Sequence, residues 1–229
     1  MSVKNEFSKH ASQYNSYNII QQIVAKSLVR DIENTPANIL ELGCGTGQIF
    51  KHISWDLNSY TAMDFSSTMC ELHPKSDVVE VKCLSFDSDE FFDYLKNKKY
   101  DLVISSSALQ WSKDLTKIAK SLSEITNEVN AVLFTSNTFK RIQELSNASS
   151  PILSQNEIKD AFLGSFECEF EIFNYNLEFD SKKKMFEYIK KSGVSGGKAL
   201  DFTTAKKLYK EYDLNYLEFE VIFVKAKKL

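Results

Sequence analysis

Seven residues from Glu41 to Gly47, Glu-Leu-Gly-Cys-Gly-Thr-Gly, hold three of the seven glycines of this 229-residue chain. They follow the apolar pair Ile39-Leu40 and are expected to open a helix over residues 46–54. A strand that reverses tightly while its backbone closes on a ligand leaves no room for a Cβ, so glycine concentrated at such a turn points to a nucleotide-like ligand. A dinucleotide fingerprint, G-x-G-x-x-G, would require glycine at position 48, which is Gln48. The spacing here is instead E-x-G-x-G-x-G. The run Ser59-Tyr60-Thr61-Ala62-Met63 reads as the next strand and delivers Asp64 at its tip, 21 residues after Gly43. A carboxylate there is placed to accept hydrogen bonds from ribose hydroxyls.

Two further strand ends carry candidate chemistry. Val78 to Leu84 runs into Ser85-Phe86-Asp87, where Asp87 can accept a hydrogen bond from an adenine amino group or, with Asp89 and Glu90, form the acidic first turn of the next helix. The following strand ends in Ser105-Ser106-Ser107-Ala108-Leu109-Gln110-Trp111. Small Ser105 and Ser106 permit close approach of a ligand, and Gln110 and Trp111 offer an amide and a large apolar surface to a substrate pocket. Nothing resembles a nucleophile with its base. His10, His52 and His73 are scattered and read as surface or packing residues, and no metal site is expected. Cys44, Cys70, Cys83 and Cys168 lie apart without C-x-x-C pairing and are expected to be reduced and mostly buried, with no disulfide.

The elements that must hold these residues alternate from Asn38 onward. Strands are expected at about 38–42, 59–64, 78–84, 100–106 and 130–136, with helices at 46–54, 66–72, 88–97 and 114–126 between them. Short unbroken apolar runs such as Tyr100-Asp101-Leu102-Val103-Ile104 suit a parallel sheet covered on both faces. The expected fold is α/β, a doubly wound, mostly parallel sheet whose ligands sit beyond the carboxyl ends of its strands. Ahead of it, residues 1–34 form a helical lead-in, with Ile19, Ile20, Ile23, Val24 and Leu28 at helical spacing. After Pro151, Ser154 and Glu157 read as a capping box, and the apolar runs at 166–178 and 215–227 as the closing antiparallel pair. The reading is one domain over 1–229, with a cofactor core at 38–137 and a C-terminal part at 138–229 that inserts lysine-rich helices.

Composition agrees with a globular chain, 43% hydrophobic and 26% charged. No apolar run is long enough to span a membrane and no signal core follows Met1, so a cytoplasmic location is expected. The net charge of −3 conceals an asymmetry: residues 181–210 carry nine lysines against Glu187 and Asp201, a local +7 that leaves −10 for the rest. Nucleic acid is therefore not expected as a partner, whereas one basic face could steer an acidic protein or phosphate-bearing substrate, or merely solvate two helices.

The E-x-G-x-G-x-G turn resembles motif I of the Rossmann-like class I S-adenosylmethionine (SAM) methyltransferases. The Phe7…Ala11…Tyr14 lead-in with Gln21, the Ser106-Ser107-Ala108-Leu109-Gln110-Trp111 stretch and the late Ser192-Gly193-Val194 are similar to the BioC family of malonyl-acyl-carrier-protein O-methyltransferases of biotin biosynthesis. Ser106 stands where that family often has asparagine, and extra residues displace the third-strand acid. The resemblance implies SAM as cofactor, contacted at Glu41 (methionine end), Gly43, Cys44, Gly45, Gly47, Asp64, Phe65, Asp87, Ser105 and Ser106. It implies methylation of the free carboxylate of a malonyl thioester on an acyl carrier protein, by a monomer. Tyr14, Gln110 and Trp111 are then expected near the methyl site, Arg141 at the acceptor, and Lys182, Lys183 and Lys184 against the acidic carrier. A carboxylate is already nucleophilic at neutral pH, so in-line positioning and desolvation suffice without a dedicated base. Ala108-Leu109-Gln110-Trp111 is also similar to trans-aconitate methyltransferases, which leaves a small free acid as the alternative acceptor. A non-catalytic methyltransferase-like binding subunit is the alternative of another class.

Overall fold

The computed structural model describes residues 18–191 and 202–229. In chain order the elements are α1 (Ile19–Arg30), β1 (Asn38–Leu42), β2 (Ser59–Asp64), α2 (Ser67–Leu72), β3 (Val79–Cys83), α3 (Asp89–Leu95), β4 (Leu102–Ser106), α4 (Leu115–Ser123) and β5 (Glu128–Phe134). They continue with α5 (Lys140–Ser146), α6 (Gln155–Leu163), β6 (Phe166–Glu178), α7 (Lys182–Lys191), α8 (Phe202–Glu211) and β7 (Tyr216–Lys228). Short 3-10 turns lie at Phe50–His52 and Leu109–Trp111.

The sheet has seven strands in the order β3-β2-β1-β4-β5-β7-β6. β1 to β5 run parallel, β7 is antiparallel to β5, and β6 is antiparallel to β7. Chain reversal between β1 and β4 makes the centre of the carboxyl edge the natural ligand crevice. Period-2 alternation sends side chains into two cores. Ile39, Leu102, Ile104, Val132, Phe134, Phe219 and Val221 pack against α1 and the C-terminal helices, whereas Leu40, Leu42, Val103, Leu133, Ile222 and Val224 meet α3, α4 and α6. The helices start where side chains can cap them. Ser66, Ser88, Asp114 and Ser154 each accept a backbone N–H from the first turn, and Ser154 with Glu157 forms the expected capping box.

One expected element does not form. Residues 46–54 make a chain of turns and the single 3-10 turn Phe50–His52 rather than an α-helix. Gly47 sits at φ +76, outside helical space, and the β-branched Thr46, Ile49 and Ile53 favour no helix to compensate. The turn therefore presents backbone, not a helix dipole, to whatever it binds.

The antiparallel ribbon is locked to the parallel sheet by a buried carboxylate. Glu220 on β7 accepts hydrogen bonds on Oε1 from Thr135 Oγ1, from Asn137 Nδ2 at 2.9 Å and from Gln155 Nε2 at 2.7 Å. Its backbone N–H donates to Thr138 Oγ1 at 3.2 Å. Burial pushes this carboxyl up, but the donors of Thr135, Gln155 and Asn137 together hold it below the usual glutamate range. A depressed pKa contributes stability that is complete above the unfolded value, about 4.3, and is lost as the pH falls through the folded value. Glu220→Gln should turn an amide N–H toward existing donors and lower the unfolding free energy at pH 7 by about 1–3 kcal/mol. In urea titrations the gap from wild type should shrink at acid pH. A gap that persists unchanged there would show that the carboxylate charge is not what holds the ribbon.

Candidate cofactor site

The glycine turn is anchored to the tip of β2. Because Leu42 pairs with Met63, the chain leaving β1 meets the Met63 carbonyl, which accepts both Gly43 N–H at 2.8 Å and Cys44 N–H at 2.9 Å. Asp64, 8% exposed, takes Gly45 N–H on Oδ2 at 2.9 Å and Ser66 N–H on Oδ1 at 2.9 Å. Burial raises the Asp64 carboxyl from its ordinary range, while backbone donors from Ser66, Gly45 and Phe65 pull it back in part. Each oxygen retains acceptor capacity for a further donor.

The three glycines serve different ends. A Cβ on Gly45 would meet nothing within 4 Å, and its φ of +50 is the left-handed conformation glycine adopts without strain. This position opens on the cleft. A Cβ on Gly43 would lie 2.1 Å from Ala108 Cβ, so this glycine admits the loop that follows β4. One on Gly47 would lie 2.5 Å from Pro74 Cδ and 3.1 Å from the His73 ring, so here glycine serves packing behind the turn rather than ligand approach.

Gly43, Gly45, Asp64, Phe65, Met69, Phe86, Ser106, Ser107, Ala108 and Trp111 line a cleft at the carboxyl edge. Of the residues expected at the cofactor, it gathers Gly43, Gly45, Asp64, Phe65 and Ser106. It adds Met69 and Phe86, which sequence reasoning missed. Met69 stands five residues past the β2 tip and Phe86 directly before Asp87, and each reads as one more core apolar residue in a chain with 17 phenylalanines. Position just beyond a strand tip was the signal that could have found them.

Other expected site residues point elsewhere. Glu41 is 2% exposed and faces the α1 side of the sheet, where Tyr60 Oη donates to Oε2 at 2.6 Å and His73 Nε2 lies at 3.9 Å. Burial raises its carboxyl. Cys44 buries its thiol in the same core, and burial drives that thiol far above the normal range. Ser105 Oγ donates to Leu42 O at 2.8 Å, tying β4 to β1 beneath the turn. Asp87 Oδ1 accepts Lys113 N–H at 3.0 Å and braces the loop before α4. Ser88, its neighbour, caps α3.

Gln110 is 3% exposed. Its Nε2 donates to Ser107 O at 2.7 Å, which supports the left-handed Ser107 (φ 59), while its Oε1 is buried without a partner among the described residues. Trp111, adjacent, lines the cleft. Arg141 makes a bidentate pair with Asp213, Nε at 2.8 Å and Nη2 at 3.0 Å, and its Nη1 reaches Glu144 at 3.1 Å. Its guanidinium thus joins α5 to the segment before β7 instead of standing free for an acceptor. Lys184 pairs with Asp180 at 2.7 Å, Lys182 Nζ donates to Tyr209 O at 3.5 Å, and Lys183 is exposed. Tyr14 lies outside the described residues. Among the described residues, no group of three or more His, Cys, Asp and Glu side chains could hold a metal ion, and no helix is long and apolar enough to cross a membrane.

The family described as a methyltransferase domain matches residues 40–132, from β1 to β5. Over these residues the chain is similar to a methyltransferase domain, and its fold is that of class I methyltransferases. The malonyl-[acyl-carrier protein] O-methyltransferase of Priestia megaterium is 30% identical over 149 residues, 62% of this chain and 54% of that protein. The malonyl-[acyl-carrier protein] O-methyltransferase 2 of Ilyobacter polytropus is 27% identical over 241 residues, 97% of this chain and 93% of that one. The chain spans about half the length of the first relative and nearly all of the second. Among solved structures, the plantazolicin methyltransferase BpumL in complex with SAH superposes with a TM-score of 0.53 at 16% identity, over 99% of this chain and 94% of that one. Methyltransferases of this class use SAM, and the cleft fits it: open space stands at Gly45, a buried carboxylate with spare acceptor capacity at Asp64, and apolar Phe65, Met69 and Phe86 beside them.

The Gly43–Ala108 contact can be tested. Gly43→Ala should lower the unfolding free energy by about 2–4 kcal/mol through overpacking and left-handed strain. Adding Ala108→Gly should recover the steric part but not the strain. Equal urea midpoints for the single and double variants would sink this account of the loop contact.

Proposed function

We propose that the chain transfers a methyl group from SAM to the free carboxylate of a malonyl group carried on an acyl carrier protein, forming the methyl ester used in biotin biosynthesis. What supports this reading above a small-acid acceptor is that the likeness to the Ilyobacter polytropus enzyme runs through the C-terminal part as well as the methyltransferase domain. Bound in the cleft, SAM supplies a methyl already activated on a sulfonium. The chain has to hold and shield. Asp64 takes the ribose hydroxyls, Phe65, Met69 and Phe86 flank the adenine, and the Gly43-to-Gly45 backbone allows close approach. Ser106 and Trp111 form the edge facing the acceptor and keep water from it. Gln110 acts one step back, holding the Ser107 turn in place. Tyr14 is the further residue proposed at the methyl site.

Strand direction gives the basic lobe its part. β6 runs parallel to β5 and ends at Glu178, opposite Tyr216 where β7 begins, so Lys182, Lys183 and Lys184 emerge from the same sheet edge as the glycine turn. Buried Met185, Tyr188, Leu208 and Tyr212 seat this lobe on the sheet, and Arg141 braces it through Asp213. An acidic carrier protein docked there would present its arm toward the cleft.

Three measurements bear on this. Asp64→Asn removes one anionic acceptor and sets an amide N–H against Gly45 or Ser66, so SAM affinity by calorimetry should fall about 10- to 100-fold. Methyl transfer by the wild type should favour malonyl carrier protein over malonyl-CoA and trans-aconitate assayed side by side. A preference for trans-aconitate would move the assignment to a small acid, and absence of SAM binding to a non-catalytic subunit. Reversing Lys182, Lys183 and Lys184 to glutamate should raise KM for the carrier-bound substrate at low salt about 10-fold and leave malonyl-CoA unaffected. If carrier kinetics stay unchanged, the lobe is not the docking face.

A further inference from the structure

Cys70 and Cys83, 13 residues apart in the sequence, are brought near one another beside the cleft by the pairing of β3 with β2. Cys83 is the last residue of edge strand β3, paired in register with Asp64, and it is exposed. Cys70 is half-buried on α2, directly after the cleft residue Met69. The Cys70 thiol donates to Asp64 O at 3.5 Å and the Cys83 thiol to Phe65 O at 3.7 Å, so the pair grips the carbonyls of two adjacent residues that both line the cleft. Cys70 Sγ also lies 3.8 Å from the carbonyl of Lys82, the residue before Cys83.

We propose that Cys70 and Cys83 form a reversible disulfide under peroxide and that its formation weakens cofactor binding. The accessible Cys83 sulfur attacks one oxygen of hydrogen peroxide. An S–O bond forms as the O–O bond breaks, and the departing hydroxide takes the thiol proton as water. The Cys70 sulfur then attacks the Cys83 sulfenic sulfur, forming the S–S bond as the S–O bond breaks, and a second water carries off the Cys70 proton. Two thiols lose two electrons in all, and one peroxide becomes two waters. Burial holds the Cys70 thiol above the usual range, so the exposed Cys83 is the residue that reacts first.

The consequence follows from geometry. A disulfide requires an S–S separation of about 2.05 Å. Its formation removes both S–H donors from the Asp64 and Phe65 carbonyls and draws α2 toward the end of β3. Met69 and Phe65 are displaced with these elements, and the Asp64 carboxylate loses its orientation. Nothing comparable is available to Cys44, which is buried, or to Cys168, which lies on β6.

The effect on affinity rests on the SAM reading, whereas the bond does not, and the test separates them. Full-length protein is treated with hydrogen peroxide, digested without reductant and mapped by mass spectrometry, and SAM affinity is measured before oxidation, after it, and after dithiothreitol. The expected result is a peptide pair linked through Cys70 and Cys83, with SAM affinity lowered at least about 10-fold and restored by reductant; Cys83→Ser should keep its affinity through the same treatment. Peroxide that leaves both thiols free, or converts Cys83 to a sulfinic acid without linkage, overturns the proposal. A linked peptide with unchanged affinity overturns the control of binding. Failure of the reduced protein to bind SAM would strike the cofactor reading, and the linked peptide would still decide the disulfide.

Discussion

The site depends on one buried carboxylate that bridges two backbone segments. Asp64 takes the N–H of Gly45 on one oxygen and of Ser66 on the other, both at 2.9 Å, and thereby fixes the turn after β1 to the turn after β2. Without it, two backbone donors in a poorly hydrated place would go unmet, at roughly 1–3 kcal/mol each. With it, the carboxylate is already oriented before any ligand arrives, which reduces the ordering that binding requires. The parallel register supplies the rest of the geometry, since Leu42 opposite Met63 makes one carbonyl the acceptor for both Gly43 and Cys44. The crevice is thus a product of strand pairing rather than of the loop alone.

Much of this was readable in the sequence because it follows from local rules. Unbroken apolar runs gave the parallel strands, Ser154 with Glu157 gave the start of α6, and the distance from Gly43 to Asp64 gave an acid at the tip of β2 beside the glycine turn. The direction of Glu41 was also within reach. It lies between Leu40 and Leu42, which enter the core under α3 and α4, so period-2 alternation turns it to the opposite face, toward Tyr60.

What was not readable depends on partners distant along the chain. Arg141 looks like a free cation until α8 and β7 bring Asp213 to it, 72 residues on. At the missing helix after the glycine turn, the His73–Pro74 segment packed against Gly47 adds a tertiary constraint to the weak local propensity of Thr46, Ile49 and Ile53. Phe86 and Met69 could not be told from core residues by composition, because a cofactor's apolar wall and a protein core select the same side chains.

The same dependence on distant partners explains how the C-terminal half can reach the site at all. A parallel sheet places its ligands at one edge, and an appended antiparallel strand would carry its following segment to the other edge. Here β6 runs parallel to β5 and β7 returns, so the loop between these 13-residue strands, with α7 and α8 inside it, opens at the ligand edge. Glu220 then ties β7 to the segment after β5, close to that edge, through side-chain donors from Thr135, Asn137 and Gln155. The ribbon therefore carries α7 and α8 to the same sheet edge as a cleft whose lining residues, Gly43 to Trp111, all belong to the first half of the chain.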